Sequence, residues 1–153
     1  MKMTPNIFKF LINIYPPYLG AGIKILYISK DWREIHVSMS KRWYNKNAVG
    51  THFGGSLYSM VDPHLMLLLM QLLGKKYLVW DKSASIEFIK ASKQKVKAEI
   101  KISDDSLQEI IEKTKNGEKF FANFTIDIID KSDDLVARVE KVLYIRKKME
   151  AEK

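Results

Sequence analysis

The stretch NAVGTHFGGSLYSMVDP, residues 47–63, places Asn47, His52, the glycine pair Gly54–Gly55 and Asp62 close together along the chain. A carboxylate such as Asp62 can draw a proton from water or attack a carbonyl directly. Two glycines opening a helix leave backbone N–H groups bare, and a ligand carbonyl can approach them closely. Donors of that kind stabilise a developing oxyanion. The same glycines also suit a tight entry into the helix, or close packing of helix on sheet. Asp62 lies two turns beyond Gly55, roughly 10 Å along a helix axis. It therefore needs a partner surface to share a site with such donors. Otherwise it is a structural acid, paired with Lys82 or capping neighbouring backbone.

Other candidates are weaker. Pro63 removes a helix hydrogen bond, so it kinks the chain beside Asp62; that aims the acid or fits the helix to a curved sheet. Asn47 can orient a water or a substrate carbonyl, or it can form an Asx turn in its loop. His52 suits packing or hydrogen bonding within that loop. His36 alternates outward on a strand, and His64 has no second ligand at metal spacing, so no metal site is expected.

These residues must be held by the elements around them. Apolar residues at 7, 8, 11, 12 and 15 predict a helix over 5–15, which YPPYLG ends. GIKILYIS and REIHVSMS, separated by KDW, predict a hairpin, and KRWYNKNAVG a loop. A helix follows from about Gly55 to Leu73, closed by Gly74 and apolar nearly all round, hence enclosed by protein. SASIEFIKA and VKAEIKI read as strands, and SDDSLQEIIEKTKNG as a short capped helix. FFANFTIDIID and LVARVEKVLYIRKK alternate as strands, with KSDD turning between them. In the last of these, Leu135, Ala137, Val139, Leu143 and Ile145 share one face. Runs of strands around one enclosed helix predict an α+β domain, a curved antiparallel sheet wrapped on that helix with an extra N-terminal helix. The division expected is an N-terminal helix over 1–19 packed on a single domain over 20–153.

That order, with a glycine pair opening the central helix, resembles the hotdog fold over about residues 20–147. The pattern N-x-x-x-x-H-F-G-G-x-x-x-x-x-x-D resembles the motif of phenylacetyl-CoA-type hotdog thioesterases, through Asn47, Gly54, Gly55 and Asp62. Phe53 departs from it by separating His52 from the glycines. The nearest likeness is to a branch known mainly as a domain of unknown function. The resemblance implies a dimer in which one subunit's Asp62 faces its partner's helix start. It implies Asp62 as base or nucleophile, Gly54 and Gly55 as oxyanion donors and Asn47 as the orienting residue. His52, Phe53, Lys82 and Ser83 are the candidate substrate contacts. Family members often place a hydroxyl supporting the acid in this region, Ser83 here ahead of Ser85, while Lys82 either faces Asp62 and holds it ionised or is a surface lysine. A hotdog dehydratase would use a longer His-to-acid spacing and prolines around its glycines, so dehydration is disfavoured.

Composition sets the outer limits. The chain has 153 residues, 46% of them hydrophobic, enough for one ordinary core. There is no cysteine, which excludes disulfides, thiolate zinc sites and a cysteine nucleophile, and leaves a cytoplasmic default. Net charge is +8, from 26 Lys and Arg against 18 Asp and Glu, which favours polyanions. No nucleic-acid motif accompanies the charge, so nucleic acid is not the expected partner. NIFKFLINIY is too short to span a membrane, and LYSMVDPHLMLLLMQLL carries Asp62 and Pro63, so no transmembrane segment is expected. The expected function is hydrolysis of a fatty or aryl acyl-CoA thioester. It needs no cofactor, coenzyme A being part of the substrate, with Lys90, Lys93 and Lys95 near its phosphates. A homodimer or dimer of dimers is expected. The alternative is a non-catalytic protein that holds an acyl group or acyl-CoA in the same cleft.

Overall fold

The computed structural model describes residues 3–149. The Thr4 hydroxyl accepts from Ile7 N and caps α1 (Pro5–Asn13). The tandem prolines stop α1, but they also open a second short helix, α2 (Pro16–Ala21), which Gly22 closes at φ 72°. This corrects the reading of YPPYLG as a terminator only. Proline fits a helix's first turn, where its missing N–H would be unpaired in any case. α2 also runs across the 19/20 division drawn from the sequence.

Both helices pack on β1 (Ile23–Ile28), which forms the expected hairpin with β2 (Glu34–Met39); Trp32 sits in the turn at φ 63°. β1 is a sheet edge, and α1 covers it. Asn13 accepts from Ile25 N at 2.7 Å and donates to Ile25 O at 3.0 Å, while Lys9 Nζ donates to Leu26 O at 2.9 Å. Those contacts occupy backbone groups that would otherwise invite another strand.

The stretch expected to be one helix is two: α3 (Gly54–Ser59) and α4 (His64–Leu73). Val61 N and Asp62 N both turn back to Tyr58 O, tightening the end of α3. Pro63 has no N–H to continue the ladder, and its carbonyl then starts α4 by accepting from Leu67 N. Gly74 follows α4 at φ 74°. By length and composition alone Gly54–Leu73 could cross a membrane. Here the break at 60–63 interrupts it, and Leu65, Leu68 and Leu69 of α4 are buried in the core.

The remaining elements are β3 (Tyr77–Phe88), β4 (Val96–Lys101), α5 (Asp104–Thr114), β5 (Lys119–Asp130) and β6 (Leu135–Lys147). β3 is longer than SASIEFIKA suggested, because YLVWDK joins it. Ser103 caps α5 by accepting from Ser106 N. The six strands form one antiparallel sheet in the order β1-β2-β4-β5-β6-β3. β4 and β5 share only two register pairs, Val96 with Asp130 and Lys97 with Ile129, so the sheet opens there. The inner face, with Val37, Met39, Ile100, Val139 and Leu143, packs against α4 to form the core. β3 is the second edge. It bulges between Asp81 and Ser83 and turns Trp80 and Phe88 outward. This is the hotdog fold expected from the sequence, with the central helix in two parts.

Candidate functional site

Asp62 lies in the break between α3 and α4. Its carboxylate is held on one side only: Tyr58 Oη donates to Oδ1 at 2.6 Å, and Lys141 Nζ donates to the same oxygen at 3.2 Å. Among the described residues Oδ2 has no partner, and the side chain remains 44% exposed. Lys141 also donates to the backbone carbonyl of Asp62 and forms an ion pair with Asp81 at 2.9 Å. Its side chain is fully buried. An ammonium out of water is tolerable only when charges and acceptors surround it, which two carboxylates and a carbonyl do here. Its Nζ also stands 5.9 Å from the centroid of the Tyr58 ring. Burial, reinforced by the hydrogen bond to Asp62, pushes the Tyr58 phenol above its usual range, so it stays a donor.

Of the two places open to Lys82, beside Asp62 or in solvent, it takes the second, and Lys141 pairs with Asp62 instead. Lys82 is the extra residue of the β3 bulge, exposed, and no carboxylate lies within ion-pair distance of it among the described residues. Ser83, one position on, is exposed and pairs in register with Val142. The sequence did carry a signal for Lys141. It falls on the period-two apolar face of β6, between Val139 and Leu143, where a lysine must be buried and therefore paired.

The other candidates gather elsewhere. Asn47, Thr51, His52, Gly54, Phe88 and Ser92 line a cleft of about 400 Å³ at the start of α3. Asn47 Oδ1 accepts from Thr51 N, and Nδ2 donates to Thr51 Oγ1 and His52 O, so both its donors are taken up by the loop. His52 is buried; Nε2 donates to Gln94 O at 2.6 Å, while Nδ1 has no partner among the described residues. Among the described residues no side chain caps α3, whose N-cap residue is Phe53. A β-carbon on Gly54 would stand 2.9 Å from the Phe88 ring, and one on Gly55 2.6 Å from the Phe53 ring. Glycine at both positions is thus what lets two aromatic rings lie against the helix start. Asp62 does not line this cleft. One chain by itself does not join the acid to the glycine pair.

Behind Asp62, Tyr18 and His64 form a second buried polar pair, with Tyr18 Oη and His64 Nε2 3.0 Å apart. Burial pushes the His64 imidazole down to about 3, so the ring is neutral, and burial raises the Tyr18 phenol, with Asp62 adding to that rise. Sequence reading left His64 without a role. Its place is at the head of α4, locked to α2. On the outer sheet face, ligand atoms of Glu34, His36 and Glu99 lie within 4.8 Å of one another. Lys101 Nζ already stands 3.1 Å from both carboxylates there. Lys90, expected near coenzyme A phosphates, is paired with Asp134.

With this geometry in hand, the likenesses to other proteins fall into place. The family model described as a domain of unknown function, DUF4442, matches residues 4–145. The chain belongs to that family. Among curated proteins no sequence matches it. Solved structures similar to it include a Pseudomonas aeruginosa protein of unknown function described as a probable thioesterase. That structure has a TM-score of 0.82 and 13% identity, over 96% of this chain and 98% of its own. A Haemophilus influenzae thioesterase has a TM-score of 0.69 and 15% identity, over 100% and 97%. The PaaI protein of the E. coli phenylacetic acid degradation operon has a TM-score of 0.62 and 13% identity, over 92% and 89%. At these identities the likeness is one of fold. It is the fold of thioesterase-like hotdog proteins, as the glycine pair and helix acid had implied.

Proposed function

We propose that this protein hydrolyses acyl-CoA thioesters, fatty or aryl, as a homodimer or a dimer of dimers. One observation carries the reading: Asp62 presents a half-exposed carboxylate with Oδ2 unpaired among the described residues and Oδ1 held by Tyr58 and Lys141. A carboxylate so fixed is positioned to activate water or to attack a carbonyl. Its own glycine pair lies in a different cleft, so the acceptor site is one that a partner's Gly54–Gly55 supplies. Edge strand β3, beside Asp62 through Asp81 and Lys141, is the edge at which two copies pair; the β1 edge is covered by α1. In this reading the N–H groups of Gly54 and Gly55 receive the oxyanion. His52, Phe53 and Ser83 border the acyl group, and Lys82, Lys93 and Lys95 reach toward the coenzyme A phosphates. No further cofactor takes part, and the setting is the cytoplasm.

A second reading is a non-catalytic acyl or acyl-CoA binder. Two observations favour it: both donors of Asn47 serve the loop, and the Phe53 ring lies over Gly55. A panel of medium-chain, long-chain and aryl acyl-CoAs, followed by free-thiol release, separates the two. Turnover that Asp62→Asn abolishes, with fold intact, supports the enzyme. Retention of acyl-CoA without thiol release in the wild-type protein refutes hydrolysis and leaves the binder.

A further inference from the structure

Exposed apolar surface and net positive charge coincide on one part of this molecule. Residues 3–50 hold seven Lys and Arg against two Asp and Glu, five of the eight net charges. They also form the side of the fold built from α1, α2, β1, β2 and the following loop. α1 is apolar on two faces. Phe8 and Ile12 pack inward, Phe8 edge-on to Trp32 with centroids 5.5 Å apart. Ile7, Phe10, Leu11 and Ile14, spaced i, i+3, i+4 and i+7, form a second stripe that faces solvent, with Phe10 64% exposed. Tyr15 and Leu19 extend it onto α2.

The loop after β2 adjoins the same helices. Asn45 is buried and donates to Ala21 O at 2.7 Å and to Ser40 O at 2.9 Å, which ties the loop to the end of α2. That tie holds the segment Lys41-Arg42-Trp43-Tyr44 at the surface. Trp43 is 83% exposed and meets Tyr44 edge-on, with centroids 5.5 Å apart. Lys24, Lys41, Arg42 and Lys46 have no carboxylate within ion-pair distance among the described residues. Unpaired cations around exposed aliphatic and aromatic side chains match the two layers of an anionic bilayer surface, headgroup charge outside and acyl chain beneath. Trp and Tyr favour that boundary, being apolar in body and polar at one end. Nucleic acid fits less well, since Ile7, Leu11, Ile14 and Leu19 offer bases nothing to stack on.

We propose that this face docks on anionic membrane surfaces, with the α1 stripe and Trp43 entering the interface and Lys41, Arg42 and Lys46 meeting the headgroups. Lys46 bridges His52 at the edge of the α3 cleft, but none of the residues assigned to this face lines that cleft or bonds Asp62, so the proposal stands whether or not the protein hydrolyses thioesters. The test is co-sedimentation of the full-length protein with phosphatidylcholine vesicles, with and without a phosphatidylglycerol fraction. Binding is expected only with the anionic lipid, accompanied by a blue shift of tryptophan emission. Arg42→Gln and Lys46→Gln each lower partitioning about fivefold, the equivalent of about 1 kcal/mol per surface cation. Phe10→Glu combined with Ile14→Glu lowers it at least about tenfold, with circular dichroism unchanged, since burying one large apolar side chain is worth more than that. No anionic-lipid preference, or unchanged binding by the Phe10/Ile14 variant, overturns the proposal. So does loss of an oligomer in that variant by light scattering, which would assign the face to a second copy. Tighter binding to single-stranded RNA than to the vesicles overturns it as well.

Discussion

Replacing His64 with glutamine removes the one imidazole that the fold pushes far below its ordinary range. His64 is wholly buried at the head of α4, with Nε2 3.0 Å from Tyr18 Oη. Burial takes its imidazole down to about 3, against about 6.5 in an unfolded chain. Between those values the unfolded chain binds a proton that the folded chain refuses. Stability from this group is therefore complete above about pH 6.5 and declines as pH falls toward 3, so stability rises with pH across that window. At about pH 5 the loss relative to neutral pH is about 2 kcal/mol, from the roughly 1.5 pH units between pH 5 and the unfolded-state value at 1.36 kcal/mol each. Glutamine can keep a hydrogen bond to Tyr18 but does not titrate. Urea denaturation at several pH values from about 5 to 7.5 should show the wild-type protein losing about 2 kcal/mol that His64→Gln does not lose. Paired carboxylates such as Glu34 and Asp127, whose partners hold them below their usual range, are common to both proteins and cancel in the difference. Equal slopes in the two proteins would refute the reasoning.

Further outcomes follow from the same contacts. Lys141→Ala leaves Asp62 and Asp81 facing each other without their shared cation and is expected to cost about 3 kcal/mol by chemical denaturation, the usual scale for breaking a buried pair. Lys141→Arg should recover part of that loss, because it restores the charge. Gly54→Ala brings a β-carbon to 2.9 Å from Phe88. That ring is exposed and can turn, so the stability change should stay within about 1 kcal/mol, while thiol release falls at least about tenfold if the α3 donors receive the oxyanion. Tyr58→Phe removes the donor to Asp62 Oδ1 and should lower thiol release in steady-state assays with little change in melting temperature. An unchanged rate would separate Tyr58 from the chemistry.

Much of the fold was legible along the chain because it rests on periodicity. Alternation in REIHVSMS, VKAEIKI, FFANFTIDIID and LVARVEKVLYIRKK marked four strands, and the structure places them side by side. Capping chemistry marked α5, with Ser103 where a side-chain acceptor is needed. The helix break was half visible. Pro63 announced a disturbance, but whether a helix kinks or stops depends on what can bind the carbonyls left over. Here Lys141 binds that of Asp62. YPPYLG misled for a related reason: proline ends one helix as readily as it begins the next, and the choice lies in whether the new turn finds a surface. Tyr18 finds one against His64.

The glycine pair, the helix acid and their spacing were set by the sequence alone, as were the alternating faces and the surplus of positive charge. The partner of Asp62 was not. Lys82 and Lys141 are equally plausible cations when only chain order is known, separated from the acid by 20 and by 79 residues. Tertiary structure chose the distant one, because β6 lies between β5 and the edge strand β3 and its inward face puts Lys141 under the α3–α4 break. Lys82 was expelled to solvent by the bulge in β3. A buried charge must find its counter-charge wherever folding has brought one, and contact of that kind is a property of the packed core rather than of distance along the chain.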